Sequence, residues 1–152
     1  MSQRIFLGLG SNLGNRENYL EQAIGRIEAH RAILIKATSS MIETEPVGNV
    51  SQGYYLNQVV EIQSDIEPRD LLNYCLSIEK LHGRERGEKW GPRTLDIDLL
   101  FYGNLKIEEK GLRVPHPEVH KREFMLIPLA EIAPDYIHPE FKRSIQTILR
   151  EF

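Results

Sequence analysis

Apolar residues recur along this chain with two periods, and the switches between them mark out its elements. Ile5 to Leu9 is a short apolar run ended by Gly10, read as a strand, and Ser11 to Asn15 is a turn able to cap a helix. Leu20, Ala23, Ile24 and Ile27 then fall at helical spacing, which predicts a helix from about Arg16 to about Arg31. Ile33 to about Thr44 is rich in β-branched residues and Tyr54 to Gln63 alternates, so both are expected as strands, separated by the turn-forming stretch EPVGNVSQG. Pro68 opens a second helix, with Leu71, Leu72, Cys75, Ile78 and Leu81 as its stripe and Gly83 at its C-terminal cap. Leu95 to Phe101 is a further strand, a hairpin is expected at Gly103-Asn104, and Ile145 to Leu149 closes the chain as a short helix. The order β-α-β-β-α-β predicts an α+β fold, a ferredoxin-like α/β sandwich with an antiparallel sheet and its helices packed on one face.

Alternate residues of a strand face opposite ways. Leu95, Ile97, Leu99 and Phe101 therefore go one way, and Thr94, Asp96 and Asp98 the other. The two aspartate Cα atoms lie roughly 6.6 to 6.8 Å apart at the usual strand rise, so both carboxylates can reach one divalent ion or bridge two. The same rule sends Leu56, Val60 and Ile62 to the core and Tyr55, Asn57 and Glu61 to the other face. With helices on the first face, the second is expected as an open platform carrying an aromatic ring, an amide and a carboxylate pair. A solvated strand face is the commoner meaning of Asp-x-Asp, yet aspartate is depleted from strands because it competes for backbone hydrogen bonds. The preceding segment supplies a reason for the pair. Arg84, Arg86, Lys89 and Arg93 gather just before it, and Gly87, Gly91 and Pro92 are expected to keep that segment irregular and mobile. A cationic loop beside a two-carboxylate metal site suits polyphosphate transfer, where hard cations and guanidinium forks meet the charge of the leaving group.

Composition narrows the classes. At 152 residues and 41% hydrophobic, the chain suits one core, so a single domain over residues 1–152 is expected. Nineteen Lys+Arg against 22 Asp+Glu give a formal charge of −3, which removes any bulk electrostatic case for a nucleic-acid partner. The lone cysteine, Cys75, excludes an internal disulfide and a zinc cage and fits a reducing compartment. The N-terminal apolar run is too short for a signal-peptide core, and no segment approaches the length of a membrane helix, so a soluble, cytoplasmic chain with no membrane partner is expected. No phosphate-binding G-x-x-x-x-G-K-[ST] occurs, and GLGSNLG misses the dinucleotide pattern because Leu13 takes the last glycine position, so it is read as a strand-to-helix turn. Cys75 lies on a core stripe, which argues against a covalent nucleophile. Of five scattered histidines, His116 has its backbone fixed between Pro115 and Pro117, and an ordinary loop role and a phosphate contact stay equally open for it.

The run WGPRTLDIDLLFYG resembles the signature of the 6-hydroxymethyl-7,8-dihydropterin pyrophosphokinases, folate-pathway enzymes that move the pyrophosphate of ATP onto a pterin alcohol. Supporting segments, GLGSNLG, ETEPVG, YYLNQVV, IEKLHGRERG and VPHPEVHKREFMLIPLAEIAP, span nearly the whole chain. The resemblance implies that Asp96 and Asp98 hold two Mg²⁺ ions bridging the ATP phosphates. It implies a pterin slot of Thr44, Val47, Tyr55, Asn57, Trp90 and Phe124. ATP would be held by Glu79, Arg86, Arg93, His116 and Arg122, with the backbone near Leu99 reading adenine, and Arg84 and Arg93 would help assemble the closed site. The chain departs from its relatives at Leu76, where a glutamine can stand, at Pro117, where an aromatic is frequent, at Gly111 and Arg113, and at Glu45, where a proline is common. The cationic loop is also one residue shorter than in some relatives. The implied reaction is in-line attack by the pterin hydroxymethyl oxygen on the β-phosphorus of ATP with AMP leaving, by a monomer whose partners are small molecules. Two other classes use some of the same features. A Mg²⁺-dependent phosphohydrolase would release phosphate or pyrophosphate to water, and a single-strand RNA-binding module would use the platform aromatics, although its carboxylates oppose RNA phosphates.

Overall fold

The first strand is apolar on both faces over most of its length, which suits a central place in a sheet. In the computed structural model, which describes residues 3–45, 54–82 and 94–152, β1 (Gln3–Ser11) is buried from Ile5 to Ser11. It pairs antiparallel with β4 (Tyr55–Ser64) along one edge and with β5 (Asp96–Tyr102) along the other. The outer edge of β4 carries β2 (Ile33–Thr38) and then β3 (Ile42–Thr44), giving the order β2-β4-β1-β5 with β3 beside β4. The run expected as one strand from Ile33 to Thr44 is thus two. Ser39 breaks it: its backbone N–H donates to Val59 O at 2.9 Å while its Oγ accepts from Val59 N at 2.9 Å, so the side chain replaces a ladder bond.

Helix α1 (Arg16–Glu28) begins where the Asn15 side chain accepts from Asn18 N at 3.1 Å, and it ends before the expected Arg31. Helix α2 (Pro68–Leu81) starts with proline at its first turn, where the missing N–H costs nothing. Its Leu71, Cys75 and Ile78 are buried as expected, whereas Leu81, at 65% exposure, leaves the stripe, and the expected cap Gly83 lies outside the described residues. Both helices cover the first face, where Leu20, Ala23, Ile27, Leu71 and Ile78 pack on Ile5, Leu7, Leu9, Val60, Ile62, Leu95, Ile97 and Leu99. Full burial of each such side chain stabilises by roughly 1.5–3 kcal/mol. This is the expected ferredoxin-like arrangement.

The second face is half covered. A bulge in the β1–β5 ladder pairs Phe6 with Phe101 but Leu7 with Leu99, so Leu100 is the extra residue. The bulge corrects the simple alternation: Phe101 turns to the second face and Tyr102 to the first. Phe6, Val59, Leu100 and Phe101 form a second apolar cluster there, covered by Met125, Leu126 and Leu129 of α3 (Glu123–Ile132), by Tyr136, and by Ile145 of α4 (Ile145–Arg150). Helix α3 is apolar nearly all round and so shows no helical stripe to read. The chain does turn at Gly103, whose φ is +55°, but its N–H continues the pairing by donating to Arg4 O. The hairpin closes later, between β6 (Ile107–Glu109) and β7 (Leu112–Val114), around Gly111 with φ +76°.

One glycine has no packing reason. Gly25 sits inside α1, exposed, and a methyl group there would meet nothing within 4 Å. Gly25→Ala is expected to raise the unfolding free energy by about 0.5–1 kcal/mol, read by urea denaturation; a loss of stability would contradict this placement.

Candidate active site

Because β1 lies between β4 and β5, the register aligns Asn57, Gly10 and Asp96 in one row across the sheet and Val59, Gly8 and Asp98 in the next. Neighbouring strands stand about 4.8 Å apart, so the Asn57 and Asp96 backbones are roughly 9–10 Å apart across the glycine. On the second face β1 presents Phe6, Gly8 and Gly10 in turn. The aromatic ring lies under the cover of α3 and α4, and the two glycines lie beyond it. Over them opens a pocket of about 160 Å³, lined by Gly8, Gly10, Thr44, Tyr55, Asn57, Asp96, Asp98, Arg122, Phe124 and Met125 among others. Asn57 Nδ2 donates to Thr44 Oγ1 at 2.7 Å, which fixes the amide against the β3 edge. The Arg122 guanidinium stands 5.7 Å from the Phe124 ring centroid, within cation–π range. Asp96 and Asp98 are half-buried, open to the pocket on one side and held by the strand on the other.

A second pocket of about 320 Å³ lies along the outer edge of β5, lined by Leu72, Ile97, Asp98, Leu99, Gly111, Arg113, His116 and Pro117 with neighbouring residues of the β6–β7 ribbon. Asp98 lines both pockets. His116 is pinned to the strand edge, its N–H donating to Leu100 O at 2.9 Å. Its Nδ1 accepts from Glu118 N at 3.0 Å, so in the neutral ring the proton sits on Nε2. Burial, and next the Arg122 cation, push the His116 pKa down to about 4, against the opposing pull of Glu118. The imidazole is therefore a neutral hydrogen-bond donor at pH 7.

Behind the aspartates sits a third carboxylate. Glu79, 3% exposed, accepts from Ile97 N at 2.6 Å, the amide between Asp96 and Asp98. It lines neither pocket, and this bond ties it to the strand that carries both aspartates. One turn earlier on α2, Cys75 has its pKa pushed up to about 12 by burial, with Glu79 and Asp98 adding to it, so the thiol is inert as expected.

The structure brings Thr44, Tyr55, Asn57, Asp96, Asp98, Phe124 and Arg122 to one pocket, and Leu99 and His116 with Asp98 to the other. Glu79 stands behind β5 and, like Leu76 at 48% exposure, lines neither pocket, whereas Leu72 lines the second. Val47, Arg84, Arg86, Trp90 and Arg93 lie outside the described residues. Gly8, Gly10 and Met125 were not anticipated; the signal for the glycines was their placement at alternate positions after Phe6 in an otherwise apolar strand. Among the described residues no three His, Cys, Asp or Glu side chains group to hold a metal, and no helix is long and apolar enough to cross a membrane.

The family model for 7,8-dihydro-6-hydroxymethylpterin-pyrophosphokinase matches residues 6–134. A 2-amino-4-hydroxy-6-hydroxymethyldihydropteridine pyrophosphokinase of Bacillus subtilis is 44% identical over 132 residues, covering 87% of this chain and 79% of its own length. One of the same name from Methylorubrum extorquens is 42% identical over 134 residues, covering 88% and 85%. Among solved structures, wild-type Plasmodium falciparum HPPK-DHPS with pteroate superposes with a TM-score of 0.79 at 15% identity. The match covers 99% of this chain and 44% of that one, so the chain spans less than half of that protein, and at this identity the likeness shows the fold alone.

Two measurements test this geometry. Glu79→Ala leaves the buried Ile97 N–H unmet and is expected to cost about 1–3 kcal/mol of stability, most of it recovered by Glu79→Gln, whose side-chain oxygen still accepts. Unchanged stability with lost nucleotide binding would instead make Glu79 a direct contact. His116 and His138 are both held near pKa 4, chiefly by burial, below the ordinary value of 6.5. The unfolded chain therefore takes up these protons first, and their stabilising contribution is full above pH 6.5 and lost as pH falls through 4. An NMR titration is expected to place the His116 midpoint near the lower value, and a midpoint of about 6 or above would refute the assignment.

Proposed function

The chain belongs to the 7,8-dihydro-6-hydroxymethylpterin-pyrophosphokinase family, and from that premise we propose that its two pockets divide the two substrates, the pterin over the glycine rows and the nucleotide along the β5 edge. The activity is transfer of pyrophosphate from ATP to the hydroxymethyl group of 6-hydroxymethyl-7,8-dihydropterin in folate biosynthesis, an ATP-dependent diphosphotransfer that releases AMP. The observation that carries the division is that Asp98 lines both pockets. A group that must leave one substrate and join the other has to pass such a residue.

In the first pocket, Phe124 offers a flat apolar face and Tyr55 a second aromatic surface. The Asn57 amide, tethered to Thr44, reads donors and acceptors on the pterin edge. Trp90 and Val47 complete this slot on the strength of the family resemblance. In the second pocket, the backbone at Leu99 reads adenine, and His116 donates its Nε2–H to a phosphate oxygen without adding a charge that pH would switch. Arg122 stands near enough to bias the His116 proton while lining the pterin pocket, so its charge is shared between the two. Arg84, Arg86 and Arg93 add the cations that a triphosphate requires, again by resemblance.

The donor set fits Mg²⁺. This ion needs no all-protein cage, being bound by one or two carboxylates with substrate phosphates and water, and Asp96 and Asp98 are two half-buried carboxylates on one face of a strand. Two such ions, when bound, would neutralise phosphate charge. The hydroxymethyl oxygen attacks the β-phosphorus in line, the new O–P bond forming as the bond to the AMP oxygen breaks, and the hydroxyl proton leaves to water. No protein nucleophile takes part. Catalysis then comes from position and from charge. Glu79, through Ile97 N, holds the strand that carries both aspartates. We propose further that one domain spanning residues 1–152 suffices, working as a cytoplasmic monomer without nucleic-acid partners.

A coupled assay for AMP from ATP and Mg²⁺, run with and without the pterin, is expected to give AMP only with it. Asp98→Ala is expected to lower turnover by on the order of 10²–10³-fold or more. Phosphate or pyrophosphate released without the pterin would favour a hydrolase, and near-normal turnover in Asp98→Ala would sink the assignment of this carboxylate.

A further inference from the structure

Gly10 stands between the amide that faces the first pocket and the carboxylate pair, paired across the sheet with Asn57 on one side and Asp96 on the other. Its neighbours explain why a side chain is missing there. A methyl group built on Gly10 would lie 3.2 Å from Asn57 Oδ1, 3.6 Å from Tyr55 Cδ1 and 3.8 Å from Leu56 O. The first distance is tighter than carbon and oxygen tolerate without movement. Asn57 has little room to yield, because it is 8% exposed and its Nδ2 is held by Thr44 at 2.7 Å. Backing away from position 10 would break that hydrogen bond or push the amide into the pocket. Gly8, two residues earlier on the same face, differs: the atoms nearest to a methyl there belong to the Leu100 side chain, at 3.4–3.5 Å, an ordinary contact. Of these two glycines, Gly10 is the one whose nearest neighbour is a polar group of the pocket.

We infer that Gly10 is a specificity-determining residue for the heterocycle, whose absent side chain sets the position of the Asn57 amide and keeps clear the span between that amide and Asp96. The inference rests on the reading of the first pocket as the pterin pocket. It gives the GLGSNLG turn a role in substrate selection that its failed match to a dinucleotide motif had left without one. Gly10 acts through Asn57 and by leaving space, with no group of its own to offer the substrate.

The test is a double-mutant cycle on the full chain, reading kcat/KM for 6-hydroxymethyl-7,8-dihydropterin, binding of the oxidised 6-hydroxymethylpterin, and binding of a non-hydrolysable ATP analogue with Mg²⁺. Gly10→Ala is expected to weaken the pterin steps by about tenfold or more, since misplacement by a fraction of an ångström carries that order of loss. Affinity for the ATP analogue should stay within about twofold, and in an Asn57→Ala background the added methyl should cost less than about twofold further, because the atom it crowds is gone. Gly25→Ala, exposed on α1, is the control for replacing a glycine and should leave every reading unchanged. Pterin kcat/KM near the wild-type value in Gly10→Ala, a full additive loss in the double variant, or an equal loss for the ATP analogue would each overturn the inference. So would failure of both Gly10→Ala chains to fold, since the glycine would then serve the sheet. If Gly10→Ala alone fails and the double variant folds, the clash with Asn57 is established directly. A wild-type chain that does not bind the pterin at all would sink the reading of the pocket instead.

Discussion

The double pairing of β1 is the constraint on which the rest depends. A strand bonded along both edges has no freedom to slide, since a slip of one residue would send its whole core face to the other side. Its register therefore fixes how far the amide row on β4 stands from the carboxylate row on β5. On the proposed division of the pockets, two substrates that must meet at one phosphorus atom need that distance held within a fraction of an ångström. The fold holds it with backbone hydrogen bonds across the middle of the sheet, the part least open to local unfolding.

The bulge at Leu100 decides where the site ends. Without it, simple alternation would send Phe101 to the first core and leave Leu100 and Tyr102 facing α3. With it, Leu100 and Phe101 both reach the second face, where Phe6, Tyr136 and the α3 residues close over them. The second face is thereby split into a covered half that anchors the sheet and a bare half over which the first pocket opens. Arg122 and Phe124, at the start of α3, lie on the line between the halves. The cluster that stabilises the second face also delivers an aromatic ring and a cation to the pocket.

Much of this was legible in the sequence, for a physical reason. Alternation in β4 and in the first part of β5 was enough to group Asn57, Tyr55, Asp96 and Asp98 on one side, and helical spacing placed α1 and α2. Three things were not. The bulge leaves no residue signature in a run as uniformly apolar as DLLFY, so the flip of Phe101 was invisible. Helix α3 has no polar face, so periodicity gave nothing to count, and the cover of the second face was missed with it. The placement of Glu79 behind the site also eluded the sequence, because the resemblance gives a residue a neighbourhood and not a direction. Its carboxylate turns to Ile97 N, on the far side of the strand from the first pocket.

The distribution of charge follows the same division of labour. Three carboxylates, Asp96, Asp98 and Glu79, fall within reach of one short strand, and their mutual repulsion is a standing cost in a partly buried place. Glu79 offsets its share by taking a backbone N–H, so its charge strengthens the strand that carries the other two. Asp96 and Asp98 are half-buried and line the first pocket, where the proposed Mg²⁺ would meet them. A protonated histidine at position 116 would neutralise part of that charge in advance and compete with the cation. Burial and the neighbouring Arg122 keep it neutral, so His116 adds no charge beside Asp98.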